Sequence, residues 1–136
     1  MENLVIEASR KTPAVHFDNK SGVLEISGRS IPENAIEFYK PLVNWLEAHS
    51  ADPPEKTVLK VSLEYFNTSS SKCLLDVFKK LENIQKKNRG VVIEWYYEED
   101  DEDAREAGED YASILRVPVV TKIRSWYFGS NGSALT

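Results

Sequence analysis

The sequence predicts a single α/β domain over residues 1–128, with a mixed, mostly parallel sheet, an N-terminal hairpin and helices packed against the sheet. Three observations carry this. Residues Thr57 to Phe66 alternate apolar and polar with period two. Apolar residues on both sides of that strand recur at helical spacing. Beyond the hairpin, helices and strands alternate, which demands right-handed crossovers and parallel neighbours. The 136 residues suffice for one buried core and are too few for two ordinary domains. The Gly/Ser/Asn-rich end, 129–136, is expected to be a flexible tail.

In chain order, Leu4-Val5-Ile6 is a short edge strand, and Pro13 interrupts it before the hairpin. Ala14-Val15-His16-Phe17 and Val23-Leu24-Glu25-Ile26 flank the loop Asp18-Asn19-Lys20-Ser21-Gly22. Ser30-Ile31-Pro32-Glu33 reads as a helix entrance, with Ser30 capping, Pro32 in the first turn and Glu33 closing a capping box. The stripe Ala35, Phe38, Tyr39, Leu42, Trp45 and Leu46 makes the first helix, which Pro41 should kink or divide near Lys40. After the central strand, Leu74, Val77, Phe78, Leu81 and Ile84 form a second stripe, ended by Asn88-Arg89-Gly90. Val91 to Tyr97 is the next strand. Asp101 to about Leu115 is a third helix whose acidic start suits the helix dipole, although Gly108 weakens it. Val119 to Trp126 is the last strand. Leu59, Val61, Leu63, Leu74, Phe78, Leu81 and Ile93 are the expected core.

An apolar fraction of 41% and a charged fraction of 29% describe a folded chain, with no apolar run near the roughly 20 residues of a membrane span. The N-terminus lacks the pattern of a secretory signal, so a cytoplasmic protein without membrane insertion is expected. Cys73 is the one cysteine and reads as a small core residue. With only His16 and His49 besides, each read as a surface or half-buried side chain, no metal and no cofactor are expected. The net charge of −5 is uneven: Glu94 to Asp110 holds ten acidic residues and one basic one, and the remainder has 12 acidic against 16 basic. No concentrated basic face points to nucleic acid.

The segment that carries chemistry is Leu63-Glu64-Tyr65-Phe66-Asn67-Thr68-Ser69-Ser70-Ser71-Lys72. A strand runs into capping and hydroxyl residues and then into an amphipathic helix. Such a junction places a hydroxyl at the positive end of a helix, where an added phosphate is stabilised. The bland function of the same residues is a helix cap, worth about 1 kcal/mol. The two functions are compatible.

The element order, with hydroxyls between central strand and second helix, resembles the STAS fold of anti-sigma factor antagonists. Those proteins carry an Asp-Ser-Ser-Gly-like turn here, phosphorylated on its first serine; in this chain Asn67 replaces the Asp, Thr68 takes the acceptor position and the Gly is absent. The chain resembles the SiaC-type regulatory phosphoprotein family more closely. The likeness rests on Gly28-Arg29-Ser30-Ile31-Pro32-Glu33-Asn34 followed by Phe38 and Trp45, on Tyr65-Phe66-Asn67-Thr68-Ser69-Ser70-Ser71-Lys72, and on Glu94-Trp95-Tyr96-Tyr97.

The resemblance implies a non-enzymatic switch phosphorylated on Thr68 by a dedicated protein kinase and dephosphorylated by a PP2C-type phosphatase. It further implies an effector, a diguanylate cyclase in the best-known branch, activated by the unphosphorylated form. Ser69 is the rival acceptor. Glu33, Asn34, Glu64, Tyr65, Asn67, Ser69, Ser70 and Lys72 are the expected partner surface. Two alternatives remain at this level: an anti-sigma factor antagonist, and a small enzyme using the Thr/Ser cluster as nucleophile, which lacks a recognisable base.

Overall fold

A computed structural model of the chain describes residues 1–124. Six strands, β1 (Leu4–Ile6), β2 (Ala14–Phe17), β3 (Val23–Ser30), β4 (Lys56–Phe66), β5 (Gly90–Glu98) and β6 (Val119–Arg124), form one sheet in sequence order. Helices α1 (Ala35–His49), α2 (Thr68–Gln85) and α3 (Glu102–Ile114) connect the last four. The β1–β2 and β2–β3 pairs are antiparallel, whereas β3 through β6 are parallel. The expected α/β class, hairpin and parallel half are all present. The last strand is described only to Arg124, and the expected tail at 129–136 lies outside the described residues.

Each crossover steps one strand in the same direction. With one handedness, that puts all three helices on one face of the sheet. The burial pattern agrees: Leu24 and Ile26 of β3, Leu59, Val61 and Leu63 of β4, and Val91, Ile93 and Trp95 of β5 are buried on the helix side. Leu74, Phe78 and Leu81 of α2 meet them at 0% exposure, so every residue of the expected core is buried. The other face is polar rather than apolar, which a parallel sheet covered on both sides would not allow. There Lys122 pairs with Glu94 at 3.3 Å, Tyr96 donates to Glu94 at 2.7 Å, and Arg124 bridges Ser62 and Glu98.

Two local expectations are corrected. Ser30 does not cap α1. It is the last residue of β3, still paired with Phe66 of β4, and the cap is Asn34, whose Oδ1 accepts from the Glu37 N–H at 3.1 Å. Glu33 therefore closes no capping box. Pro41 does not divide the first helix, which runs unbroken to His49. The carbonyl left without a donor is that of Glu37, and both residues lie on the exposed side of the helix. Beyond the proline, Leu42, Trp45 and Leu46 continue the buried stripe and hold the helix down. Gly108 has a packing reason: a Cβ there would lie 2.6 Å from Trp95 Cδ1, so glycine lets α3 approach the sheet.

Candidate functional site

The junction between β4 and α2 lies at the C-terminal edge of the parallel strands. Asn67 is extended (φ −88°, ψ 174°) and caps α2, its Oδ1 accepting from the Ser70 N–H at 2.8 Å. The Asn67 N–H donates to the Ser30 carbonyl at 3.0 Å, which fastens the junction to the end of β3. Ser71 N–H returns to the Asn67 carbonyl at 3.0 Å. The N–H groups of Thr68 and Ser69 have no acceptor among the described residues. Both side chains are exposed.

Beneath these hydroxyls the helix start is held from three sides. Ser70 Oγ donates to the Ser30 carbonyl at 3.0 Å and lies 2.7 Å from Ser30 Oγ, which is 2.6 Å from the Tyr39 hydroxyl of α1. Burial pushes the Tyr39 phenol up to about 12, so it remains a neutral hydroxyl within this chain. On the other side, the Tyr111 hydroxyl of α3 donates to the Ser71 carbonyl at 2.8 Å and lies 3.0 Å from Ser71 Oγ. Thus β3, α1 and α3 all fix the first turn of α2.

This revises the expected surface. Ser70 is fully buried and its hydroxyl is engaged inside, so it does not belong to a docking face. Asn67 and Asn34 are occupied as caps, each with its amide side chain partly or fully reachable from solvent. Glu33, Glu64, Ser69, Lys72 and Tyr65 are exposed, Tyr65 at 54%. Ser30, Tyr39 and Tyr111 are the supporting residues that sequence reasoning missed. Their partners are 9 to 40 residues away, and no local pattern marks such contacts.

No imidazole serves the hydroxyl cluster. His16 faces outward from β2, and His49 meets Thr57 at the opposite end of β4. Nine residue steps along the strand separate Thr57 from Phe66, or about 30 Å. His49 is also buried, at 1% exposure, rather than a surface or half-buried side chain as expected. Cys73 is buried, and burial raises its thiol above the ordinary value, which suppresses the thiolate. Groups of three or more potential metal ligands are absent among the described residues. No helix among those residues is long and apolar enough to cross a membrane.

The fold and site define an α/β domain that displays an exposed pair of hydroxyls on a fixed helix start. Comparison with known proteins gives the class its family. The profile described as SiaC family regulatory phosphoprotein matches residues 6–123. The chain belongs to that family, whose members regulate rather than catalyse.

An uncharacterized protein of Pseudomonas aeruginosa strain UCBPP-PA14 is 33% identical over 118 residues, covering 87% of this chain and 94% of its own. The crystal structure of apo-SiaC from Pseudomonas aeruginosa superposes with a TM-score of 0.81 at 31% identity, covering 90% of this chain and 99% of that one. SiaC in a crystal structure of diguanylate cyclase SiaD in complex with its activator SiaC, from the same organism, gives 0.82 at 30% identity over 89% of this chain and 99% of that one.

Proposed function

We propose that this protein is a phosphorylation-controlled binding switch with Thr68 as its acceptor. A partner protein kinase adds the phosphate, a PP2C-type phosphatase removes it, and the unphosphorylated form binds and activates a diguanylate cyclase. The observation that carries this reading is the construction of the α2 start. The first turn of α2 contains no acidic residue, whereas α1 has Glu37 and α3 has Glu102 and Asp103 in the corresponding turn. A phosphate on Thr68 would supply the missing negative charge to the helix dipole and to two N–H groups with no acceptor. The complex of the related SiaC with SiaD supports a cyclase as effector.

Because the first turn is tied beneath to Ser30, Tyr39 and Tyr111, about −1.5 to −2 added charges would change the surface and leave the packing intact. Phosphopeptide mapping after incubation with the kinase tests the site. Thr68→Ala is expected to abolish phosphorylation while retaining a folded protein that binds the cyclase. Thr68→Asp is expected to weaken that complex. Phosphate on Ser69 would move the acceptor by one residue and keep the mechanism. Unchanged phosphate incorporation in Thr68→Ala, with none at Ser69 or Ser71, would refute it.

A further inference from the structure

At the same sheet edge, on the hairpin side of the junction, Arg10, Lys11, Arg29 and Ile31 line a recess of about 340 Å³. We propose that this recess docks an acidic segment of the effector protein; the choice of effector rests on the function proposed above.

Three cations converge there in a chain whose net charge is −5. Arg10 and Arg29 have no carboxylate partner among the described residues, and Lys11 approaches only Glu33, at 3.9 Å and 91% exposed. A partner's carboxylates would meet three exposed cations of which only Lys11 approaches a carboxylate of this chain. Two guanidinium groups suit bidentate carboxylate contacts, and Ile31 supplies an apolar wall.

The recess is held in shape by the backbone around it. Ser9 Oγ accepts from the N–H groups of Lys11 at 3.2 Å and Thr12 at 3.0 Å, closing the β1–β2 loop on itself. The Ile31 N–H donates to the Lys11 carbonyl at 2.8 Å, which fastens the loop to the end of β3. Within β3 the register shifts between Gly28 and Arg29, so that Gly28 faces Leu63 and Arg29 faces Tyr65. Gly28 sits at φ +117°, a conformation that side chains disfavour. The extra, unpaired residue at this step is Glu64 of β4, and Arg29 keeps the outward alternation of Glu25 and Ser27 along β3.

A protein segment fits better than nucleic acid. The acidic stretch Glu98 to Asp103 occupies the other flank of the same sheet edge and would repel a long polyanion. A partner with an acidic patch over Arg10 and Arg29, and none over that stretch, meets both flanks. The position also explains release. A phosphate on Thr68 would add negative charge to a junction bonded to Ser30, the residue between Arg29 and Ile31 of the recess, and so oppose an acidic segment docked there.

The test uses the full chain and the double variant Arg10→Glu/Arg29→Glu, both checked by circular dichroism, with two ligands: the cognate diguanylate cyclase and a fluorescent hexaglutamate peptide, with hexalysine as control. Wild type is expected to bind hexaglutamate and not hexalysine, more weakly as salt rises, and the double variant to bind both the peptide and the cyclase about tenfold more weakly or worse. Arg10→Ala/Arg29→Ala provides the same comparison if charge reversal disturbs folding. Equal cyclase binding by wild type and folded variant, or no preference for hexaglutamate, would overturn the docking site. A wild-type chain that binds hexaglutamate but no cyclase would instead overturn the proposed effector and leave the acidic-segment site standing.

Discussion

His49 joins three parts of the chain through one neutral ring. Its Nδ1 is 2.8 Å from Asn19 Oδ1 in the hairpin loop, so that nitrogen carries the proton, and its Nε2 accepts from Thr57 Oγ1 at 3.3 Å. The ring stacks on Trp45 with centroids 4.7 Å apart. Burial lowers its pKa below the ordinary value. The unfolded chain therefore takes up this proton first as pH falls. The stability that neutral His49 contributes is complete above about 6.5 and is lost as pH drops below that value toward the lowered one. Urea denaturation of wild type and His49→Gln between pH 7.5 and 5.5 checks this. Wild type should lose stability over that interval more steeply than the variant. Parallel curves would show that His49 is not the titrating group, since His16 and the carboxylates are common to both chains.

At the level of elements, α3 shows how packing overrides propensity. A glycine in a helix interior costs about 1 kcal/mol relative to alanine, so Gly108→Ala ought to stabilise an isolated helix. In the folded chain the new methyl would meet Trp95 Cδ1 at 2.6 Å and Thr121 Cγ2 at 3.0 Å. Trp95 cannot yield easily. It is buried, its Nε1 donates to the Ala104 carbonyl at 2.8 Å, and it contacts the rings of Phe66, Phe78 and Tyr111. Overpacking of this kind costs about 1–3 kcal/mol and outweighs the helical gain. Gly108→Ala should therefore unfold at lower urea concentration than wild type, with tryptophan fluorescence altered in the native state. An unchanged or raised midpoint would mean that α3 can shift away from β5.

Taken as a whole, the molecule has one core, and its helices are tied to one another as well as to the sheet. Ser30, Tyr39 and Ser70 connect β3, α1 and α2, while Ser71 and Tyr111 connect α2 and α3. Trp45 reaches the N-terminal segment through its bond to the Glu2 carbonyl at 2.9 Å, and Trp95 lies on the α3 side. Loss of any helix exposes part of the same core, so unfolding should be a single cooperative transition. Denaturation followed by far-ultraviolet circular dichroism and by tryptophan fluorescence should give superimposable curves. Separate midpoints would reveal an independently melting element.

The amino-acid sequence by itself determined the class of fold, the order of elements and the place of the hydroxyl junction. Those properties follow from short-range patterns: the period of Leu59, Val61 and Leu63, the helical stripe from Leu74 to Ile84, and the run of capping and hydroxyl residues from Asn67 to Ser71. The family likeness was legible too, because its motifs are contiguous. Only the tertiary structure decided which hydroxyls face outward. Thr68 and Ser70 are two positions apart on one helix turn, yet one is exposed and the other is closed off by Ser30 and Tyr39. It also moved the α1 cap from Ser30 to Asn34, because pairing with β4 kept Ser30 in the strand. The convergence of Arg10, Lys11 and Arg29 was likewise invisible in the sequence. Capping and periodicity act over a few residues, whereas burial, long-range hydrogen bonds and charge convergence depend on which distant segments the sheet brings together.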